Sequence, residues 1–153
     1  MDKYLNFYQW DDSYIAVEHV RDSVFEQVHM HNFYELFFIE KGSCIHRYSG
    51  EEVLLIPGDS FLVPAYHAHG FTVHKNASIF NCQFYPEKID KLEIDILEFD
   101  RDLCQADITG RHRANINKQG IIHLGPNELI FVLSILNTML DEQDRQDSYF
   151  RII

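Results

Sequence analysis

The stretch that decides the fold reads His29-Met-His31-Asn-Phe-Tyr-Glu35-Leu-Phe-Phe-Ile-Glu-Lys-Gly42. In a β-strand, side chains two residues apart point to the same side, so His29 and His31 face together and Glu35 keeps the same parity. The run Glu35–Lys41 has the composition of a strand, and Gly42 predicts a hairpin turn at its end. The sequence therefore predicts two imidazoles and one carboxylate on one face of a sheet.

A second stretch with a regular arrangement begins at Pro57-Gly58-Asp59, reaches Pro64 and ends at His69. In a barrel that brings His69 to the first stretch, three imidazoles and one carboxylate converge, and such a set binds one divalent transition metal such as Zn, Ni, Fe or Mn. As an alternative, the same side chains line a metal-free polar pocket or are hydrogen-bonded within the barrel. The candidate metal ligands are His29, His31, Glu35 and His69.

Residues 1–85 read as a series of short strands around these two stretches. Aromatic and β-branched runs alternate with turn sequences such as Asp-Asp-Ser and Ser-Gly-Glu about every eight to twelve residues. This spacing is typical of an all-β sandwich or barrel. We therefore expect a mostly β fold with a barrel over residues 1–85.

From residue 86 to residue 153 the pattern predicts a helical and linker region. Residues 120–124 predict one returning strand. Pro126 suits the first position of a helix, and Glu128 lies in the first turn, where the helix dipole favours an anion. These features predict a helix over residues 126–144 that packs on the barrel.

The predicted helix is apolar over much of its circumference, because two stripes of apolar side chains run along it. One barrel surface cannot cover both stripes, so we expect the helix to be shared with a second copy of the chain in a homodimer. The alternative is a helix packed between the sheet and another helix of the same chain. The residues predicted for the dimer surface are Leu129, Val132, Leu133, Leu136, Met139 and Leu140.

The composition excludes several classes of protein. Thirteen basic against 24 acidic residues give a net charge of −11, which disfavours binding to a phosphate backbone by this chain. An apolar content of 46% excludes a disordered chain. The widely spaced Cys44, Cys82 and Cys104 suit a reducing compartment. The start of the chain lacks the pattern of a signal peptide and no apolar stretch is long enough to span a bilayer, so we expect a cytoplasmic protein with no membrane partner.

Strand parity also predicts the lining of a ligand pocket. If Arg47 faces solvent, Cys44 and its neighbours at every second position point inward, and Phe37 shares the inner face with Glu35. Aromatic faces beside imidazole and hydroxyl groups suit a sugar, although several of these aromatic side chains have core packing as the simpler interpretation. The residues predicted to bind the ligand are His46, Tyr48, Tyr66, His67, His69, Phe71 and Phe37.

The spacing His29-x-His31-x3-Glu35-x6-Gly42 matches the first motif of the cupins, and residues 58–69 match the second motif in part. The resemblance implies a cupin-type double-stranded β-helix, which is a jelly-roll barrel, followed by C-terminal α-helices. Two positions depart from the second motif. Tyr66 and Val73 stand where cupins often carry Gly and Asn, respectively.

Over most of residues 25–145 the chain also resembles the N-terminal sensing domain of AraC-type transcriptional regulators, especially the rhamnose-responsive kind. The resemblance rests on residues 31–46, on residues 57–64 with His69, and on Asn-Cys-Gln-Phe at residues 81–84. In such proteins a cupin barrel binds a small effector, the following helices form a dimer, and a C-terminal domain with two helix-turn-helix units binds DNA. The resemblance implies a sensing and dimerisation domain whose DNA-binding domain is absent from these 153 residues.

Two functions follow as expectations. The first is a non-enzymatic domain that senses a small molecule, by the resemblance a sugar, for a transcriptional regulator. The alternative is a stand-alone metal-dependent cupin enzyme, such as a dioxygenase, isomerase or epimerase, in which the metal acts as Lewis acid or oxygen activator. A small-molecule binding module without regulatory output ranks third.

Overall fold

The computed structural model describes residues 6–8, 15–85 and 121–144, and its strands form two five-stranded sheets. The first sheet has the strand order β1-β3-β8-β5-β6, and the second has the order β10-β7-β4-β9-β2. The strands are β1 (Asn6–Tyr8), β2 (Ala16–Arg21), β3 (Val24–His31), β4 (Tyr34–Lys41), β5 (Cys44–Tyr48), β6 (Glu51–Leu55), β7 (Asp59–Val63), β8 (His69–Val73), β9 (Ser78–Phe84) and β10 (Ile122–His123).

The two sheets pack face to face, because one apolar core contains side chains from both of them. Phe37 and Ile39 of β4 and Leu55 of β6 are fully buried in this core. Along β4 the burial alternates, with Glu35, Phe37 and Ile39 inside and Leu36 on the opposite face. This alternation confirms the predicted inner position of Phe37. The two sheets are antiparallel except for the parallel pair β1–β3, and they confirm the predicted cupin fold.

Strand β3 contains an irregularity that directs its two histidines into the core. Glu26 pairs with Phe71, whereas His29 pairs with His69, so β3 contains one more residue than β8 between these pairs. The extra residue changes the face of the sheet to which the following side chains of β3 point. Gly70 lies against this site, and a Cβ on Gly70 would lie 2.9 Å from the Glu26 carbonyl oxygen. A glycine is therefore needed for the two strands to approach.

Glu35 does not lie on the strand that carries the two histidines. Strand β3 ends at His31, and Glu35 belongs to β4 in the other sheet. The predicted common parity of His29, His31 and Glu35 along one strand is therefore wrong. The carboxylate reaches the imidazoles from the facing sheet, because the turn between β3 and β4 carries the chain across the barrel.

Helix α1 (Pro126–Asp144) covers the outer face of the second sheet. The Gly125 N–H donates to the Glu128 carboxylate at 2.7 Å, which caps the first turn. Leu136 is buried against Val17 and Phe80. Strand β9 is consequently buried on both faces. The side chains of α1 that pack in this cluster are Val132, Leu133, Leu136, Met139 and Leu140.

This packing corrects the assignment of α1 residues to an intermolecular surface. Five of the six side chains predicted for the dimer surface pack in the chain's own core, and Leu129 is half-buried. The exposed apolar side chains of α1 are instead Ile130, Phe131 and Ile135. Dimerisation itself stays a prediction.

The end of α1 is hydrogen-bonded to the edge strand β2 of the second sheet. The Gln143 side chain accepts from the Val17 N–H at 2.9 Å and donates to the Val17 carbonyl at 3.0 Å, as a neighbouring strand would. This pairing covers part of the free edge of β2. No helix in the described residues is both long and apolar enough to cross a membrane. The remaining parts of the predicted linker region, residues 86–120 and 145–153, lie outside the described residues.

Cys44 and Cys82 are buried free thiols, and we expect both to resist alkylation in the native protein. Burial raises the pKa of the Cys44 thiol to about 11 and that of the Cys82 thiol to about 12, so the reactive thiolate is scarce. The measurement is iodoacetamide labelling at about pH 8, followed by mass spectrometry, with and without urea. A Cys104→Ser background removes the third thiol. Rapid native labelling of either cysteine would contradict its buried position.

A polar network joins three strands on the outer face of the second sheet. Glu40 accepts a hydrogen bond from the Ser78 hydroxyl at 2.7 Å, and its Oε2 lies 2.7 Å from His19 Nε2. The Arg21 guanidinium donates to His19 Nδ1 at 2.8 Å. Burial alone would raise the pKa of Glu40, but the hydrogen bonds from Ser78 and His19 and the nearby positive charges outweigh it and lower the pKa below 4.5.

A Glu40→Gln variant is therefore expected to lose stability in a pH-dependent manner. Because the folded pKa is depressed, the stabilisation is present above pH 4.5 and is lost as the pH falls through the folded value. We expect a loss of about 1 kcal/mol at neutral pH that shrinks towards zero in acid. Urea denaturation in chelator at several pH values measures it. Glu52→Gln, on an exposed side chain, is the control, and an equal loss in acid would contradict the ionic origin.

Candidate metal centre and effector pocket

The four predicted metal ligands lie together between the two sheets. One potential ligand atom from each residue lies within 4.8 Å of the others, and all four residues are buried. Strand β3 supplies two histidines, β8 supplies the third, and β4 supplies the carboxylate from the facing sheet. The cluster consists of His29, His31, Glu35 and His69.

Each imidazole of the cluster is oriented by the backbone. The Nδ1 atom of each ring faces a carbonyl oxygen, which can only accept, so Nδ1 carries a hydrogen and Nε2 is the nitrogen left to bind a proton or a metal. Backbone-oriented rings of this kind are typical of metal-binding histidines. The contacts are His29 to the Gln27 carbonyl at 2.8 Å, His31 to that of Phe33 at 2.6 Å and His69 to that of His67 at 3.4 Å.

The carboxylate of Glu35 faces two of these rings. Its Oε2 lies 3.2 Å from His31 Nε2 and 2.9 Å from His69 Nε2. Burial alone would raise the pKa of Glu35, but the two imidazoles hold it well below its usual range, so the group is ionised. Within the described residues, none of these three buried atoms has a hydrogen-bond partner. At this spacing the lone pairs of these atoms repel each other unless a proton or a metal cation lies between them, and three imidazoles with one carboxylate are a donor set that fits a divalent metal.

Two further residues, Asn81 and Gln83, were missed as site residues by the sequence analysis. Their side-chain amides donate to Glu35 Oε1 at 3.0 and 3.2 Å, which fixes the carboxylate and leaves Oε2 for the cluster. Both are buried on β9. Asn81 and Gln83 alternate with Phe80 and Cys82 in the sequence. This alternation could have predicted that the two amides lie on one face of a strand.

The residues predicted to bind the ligand include a series of stacked rings beside the cluster. Phe61 stacks on Phe37 at 4.7 Å and on His46 at 3.9 Å between ring centroids. Tyr48 then stacks on His46 at 5.7 Å and on His67 at 6.2 Å. The series of rings begins in the core at Phe37, follows the inner face of β5 and ends at His67. Four of these five stacked side chains were predicted to bind the ligand, and Phe61 was not.

The remaining predicted ligand residues occupy different environments. His46 is buried, and burial together with the nearby His69 lowers its pKa to about 3, so the ring is neutral. Phe71 contacts Phe37 edge to face at 5.3 Å and belongs to the apolar core. Tyr66 is 67% exposed with a φ of 64°, and its N–H donates to the His31 carbonyl at 2.7 Å. The contacts of these residues with a ligand stay predictions.

Comparison with known proteins finds the family model of the AraC-like ligand binding domain over residues 12–107. An RmlC-like cupin from Shewanella frigidimarina is similar in structure, with a TM-score of 0.44 and 19% identity over 47% of this chain and 67% of that protein. KdgF from Halomonas sp. has a TM-score of 0.43 and 18% identity over 47% and 69% of the two chains.

A third similar structure is the DMSP lyase DddQ from Ruegeria pomeroyi. Its TM-score is 0.41, with 21% identity over 48% of this chain and 39% of that protein. No curated protein sequence matches this chain. The range matched by the family model includes all four residues of the buried cluster.

Proposed function

This chain belongs to the family of AraC-like ligand binding domains, and from that membership we propose that it senses a small molecule for a transcriptional regulator. The support is an interior that holds polar side chains instead of apolar packing alone. Effector binding in this interior acts by stabilising one conformation over another, and no bond is broken. A net charge of −11 makes phosphate binding unfavourable, so DNA recognition is assigned to helix-turn-helix units outside these residues.

We propose further that one divalent transition metal, such as Zn, Ni, Fe or Mn, is part of the sensing site. The observation that carries this proposal is the group of three buried atoms, His31 Nε2, His69 Nε2 and Glu35 Oε2, that face each other without hydrogen bonds. His29 completes the set. When bound, the metal supplies a Lewis acid for an effector oxygen.

A sugar is the proposed effector class, and the rhamnose-responsive subtype is the proposed relationship. Stacked rings beside imidazole groups suit the apolar faces and hydroxyls of a sugar. We also propose a homodimer, for which Ile130, Phe131 and Ile135 are the exposed apolar side chains on α1. Light scattering on wild type and Phe131→Asp tests it, and a wild-type monomer at micromolar concentration excludes a helix-mediated pair.

A metal-dependent cupin enzyme is the second candidate function. The set of three histidines and one glutamate favours it, because the same ligands can hold a metal with positions open to substrate. Product formation that requires the loaded metal separates this candidate from a sensor. Saturable binding of an effector that is recovered unchanged supports the sensor.

The metal proposal is tested by the metal content of protein purified without a histidine tag or chelator. Inductively coupled plasma mass spectrometry is expected to find about one transition metal per chain. Protein that is empty and also refuses added Zn, Ni and Fe would leave the imidazoles as the lining of a metal-free pocket. The regulator proposal would survive that result.

A further inference from the structure

The inner face of the described strands carries carboxylates and imidazoles. Glu18, Glu26 and Glu35 occupy inner-face positions on β2, β3 and β4. On the described strands, no lysine or arginine faces the interior. Arg47, which lies on β5, points to the outer face, where it donates to Thr72 Oγ1 at 3.0 Å.

One buried acceptor next to the cluster has no donor. The Nδ2 of Asn81 donates to Glu35, and since a carboxylate can only accept, this contact fixes which end of the amide is oxygen. The other atom, Oδ1, is buried and receives no hydrogen bond from the described residues. An unpaired buried carbonyl is costly, so a ligand donor at this position would be favourable.

Glu18 is the cross-strand neighbour of the residue that carries this unpaired oxygen. It pairs directly with Asn81 across β2 and β9, and side chains of directly paired residues point to the same face. Glu18 is exposed on the edge strand β2, whereas Asn81 is buried on the neighbouring β9. Burial and, to a smaller degree, the charge of Glu35 raise the pKa of Glu18.

We propose that Asn81 Oδ1 and the Glu18 carboxylate form a hydrogen-bond-accepting subsite that selects effectors with hydroxyl or ammonium donors and rejects carboxylates and phosphates. This selection rests on the proposed sensing function and specifies the charge of its ligand. Asn81 provides the buried anchor, and Glu18 provides the charge discrimination. The subsite therefore favours a neutral or amino sugar over a sugar acid.

The experiment uses three hexoses, glucose, galactose and mannose, each with its 2-amino sugar and its uronate. Calorimetric titration into chelator-treated protein, in which no metal can attract a carboxylate, is expected to show at least one neutral or amino sugar that binds about tenfold or more tightly than its uronate. Glu18→Gln is expected to reduce that ratio several-fold, and Glu18→Lys is expected to reverse it. Glu52→Gln, an exposed carboxylate on the outer face of β6, is the matched control and keeps the wild-type ratio.

The outcomes separate the subsite from the sensing function. A uronate that binds as tightly as its neutral sugar, or a ratio unchanged in Glu18→Lys, overturns the subsite and leaves the sensing function intact. An absence of binding by all nine probes overturns both the subsite and the sugar proposal. Thermal melting of each variant confirms that it is folded before it is scored.

Discussion

A His31→Ala variant is expected to lose the metal that the wild-type chain binds. His31 is fully buried, and its Nε2 lies 3.2 Å from the Glu35 carboxylate, so no water-accessible side chain can replace it as a ligand. Loss of a supporting contact to a ligand costs about 10–100-fold in metal affinity, and loss of a ligand itself costs more. Metal content and calorimetric titration with Zn measure the effect.

His67→Ala is the matched control, because His67 is a histidine of the same pocket whose Nδ1 bonds the Ala65 carbonyl and which is outside the four-residue cluster. It should keep the wild-type metal content. Added Zn should also raise the stability of wild type by about 3 kcal/mol at a hundredfold excess over Kd, but not that of His31→Ala. Equal metal content in both variants would falsify the cluster as a metal centre.

A Gly42→Ala variant is expected to be strongly destabilised. Gly42 has a φ of 73°, and a Cβ added there would lie 2.6 Å from the Ala77 Cβ and 2.7 Å from the Ala77 Cα. The left-handed conformation costs about 1–2 kcal/mol for a residue with a side chain. Overlap with a backbone atom that cannot move freely adds about 1–3 kcal/mol, so we expect a total of about 2–5 kcal/mol by urea denaturation.

Gly50→Ala separates the two contributions. Gly50 has a φ of 81°, but no atom lies within 4 Å of the position of its Cβ. This variant should therefore lose only the conformational part, about 1–2 kcal/mol. If both variants lose the same stability, close packing between the turn at Gly42 and Ala77 does not contribute to the fold.

Several site features were predictable because they depend on local periodicity. Strand β5 lies inside one unbroken run, so alternation placed Cys44, His46 and Tyr48 on the inner side, and the structure buries the first two and half-buries the third. The same alternation placed Phe37 beside Glu35 on the inner face of β4. Turn glycines at Gly42 and Gly58, both with positive φ, marked where these runs end.

Other features were not predictable because parity fails wherever a strand is interrupted. The irregularity in β3 and the turn after His31 both lie between the start of β3 and Glu35, and neither has a clear local signal. The histidines and the carboxylate were correctly grouped from motif spacing, although their predicted place on one face of a single sheet was wrong. The supporting amides of Asn81 and Gln83 lie 46 and 48 residues from Glu35, beyond any local pattern.

The sequence by itself determined the β-rich class, the four candidate ligands and the amphipathic character of α1, because each follows from residue type and short-range spacing. Only the tertiary structure decided that Glu35 comes from the facing sheet, which face of α1 packs on β9, and that Asn81 Oδ1 has no donor among the described residues. These properties depend on which strands pair and in what register. Register is set by the sum of many distant contacts, so it cannot be read from neighbouring residues.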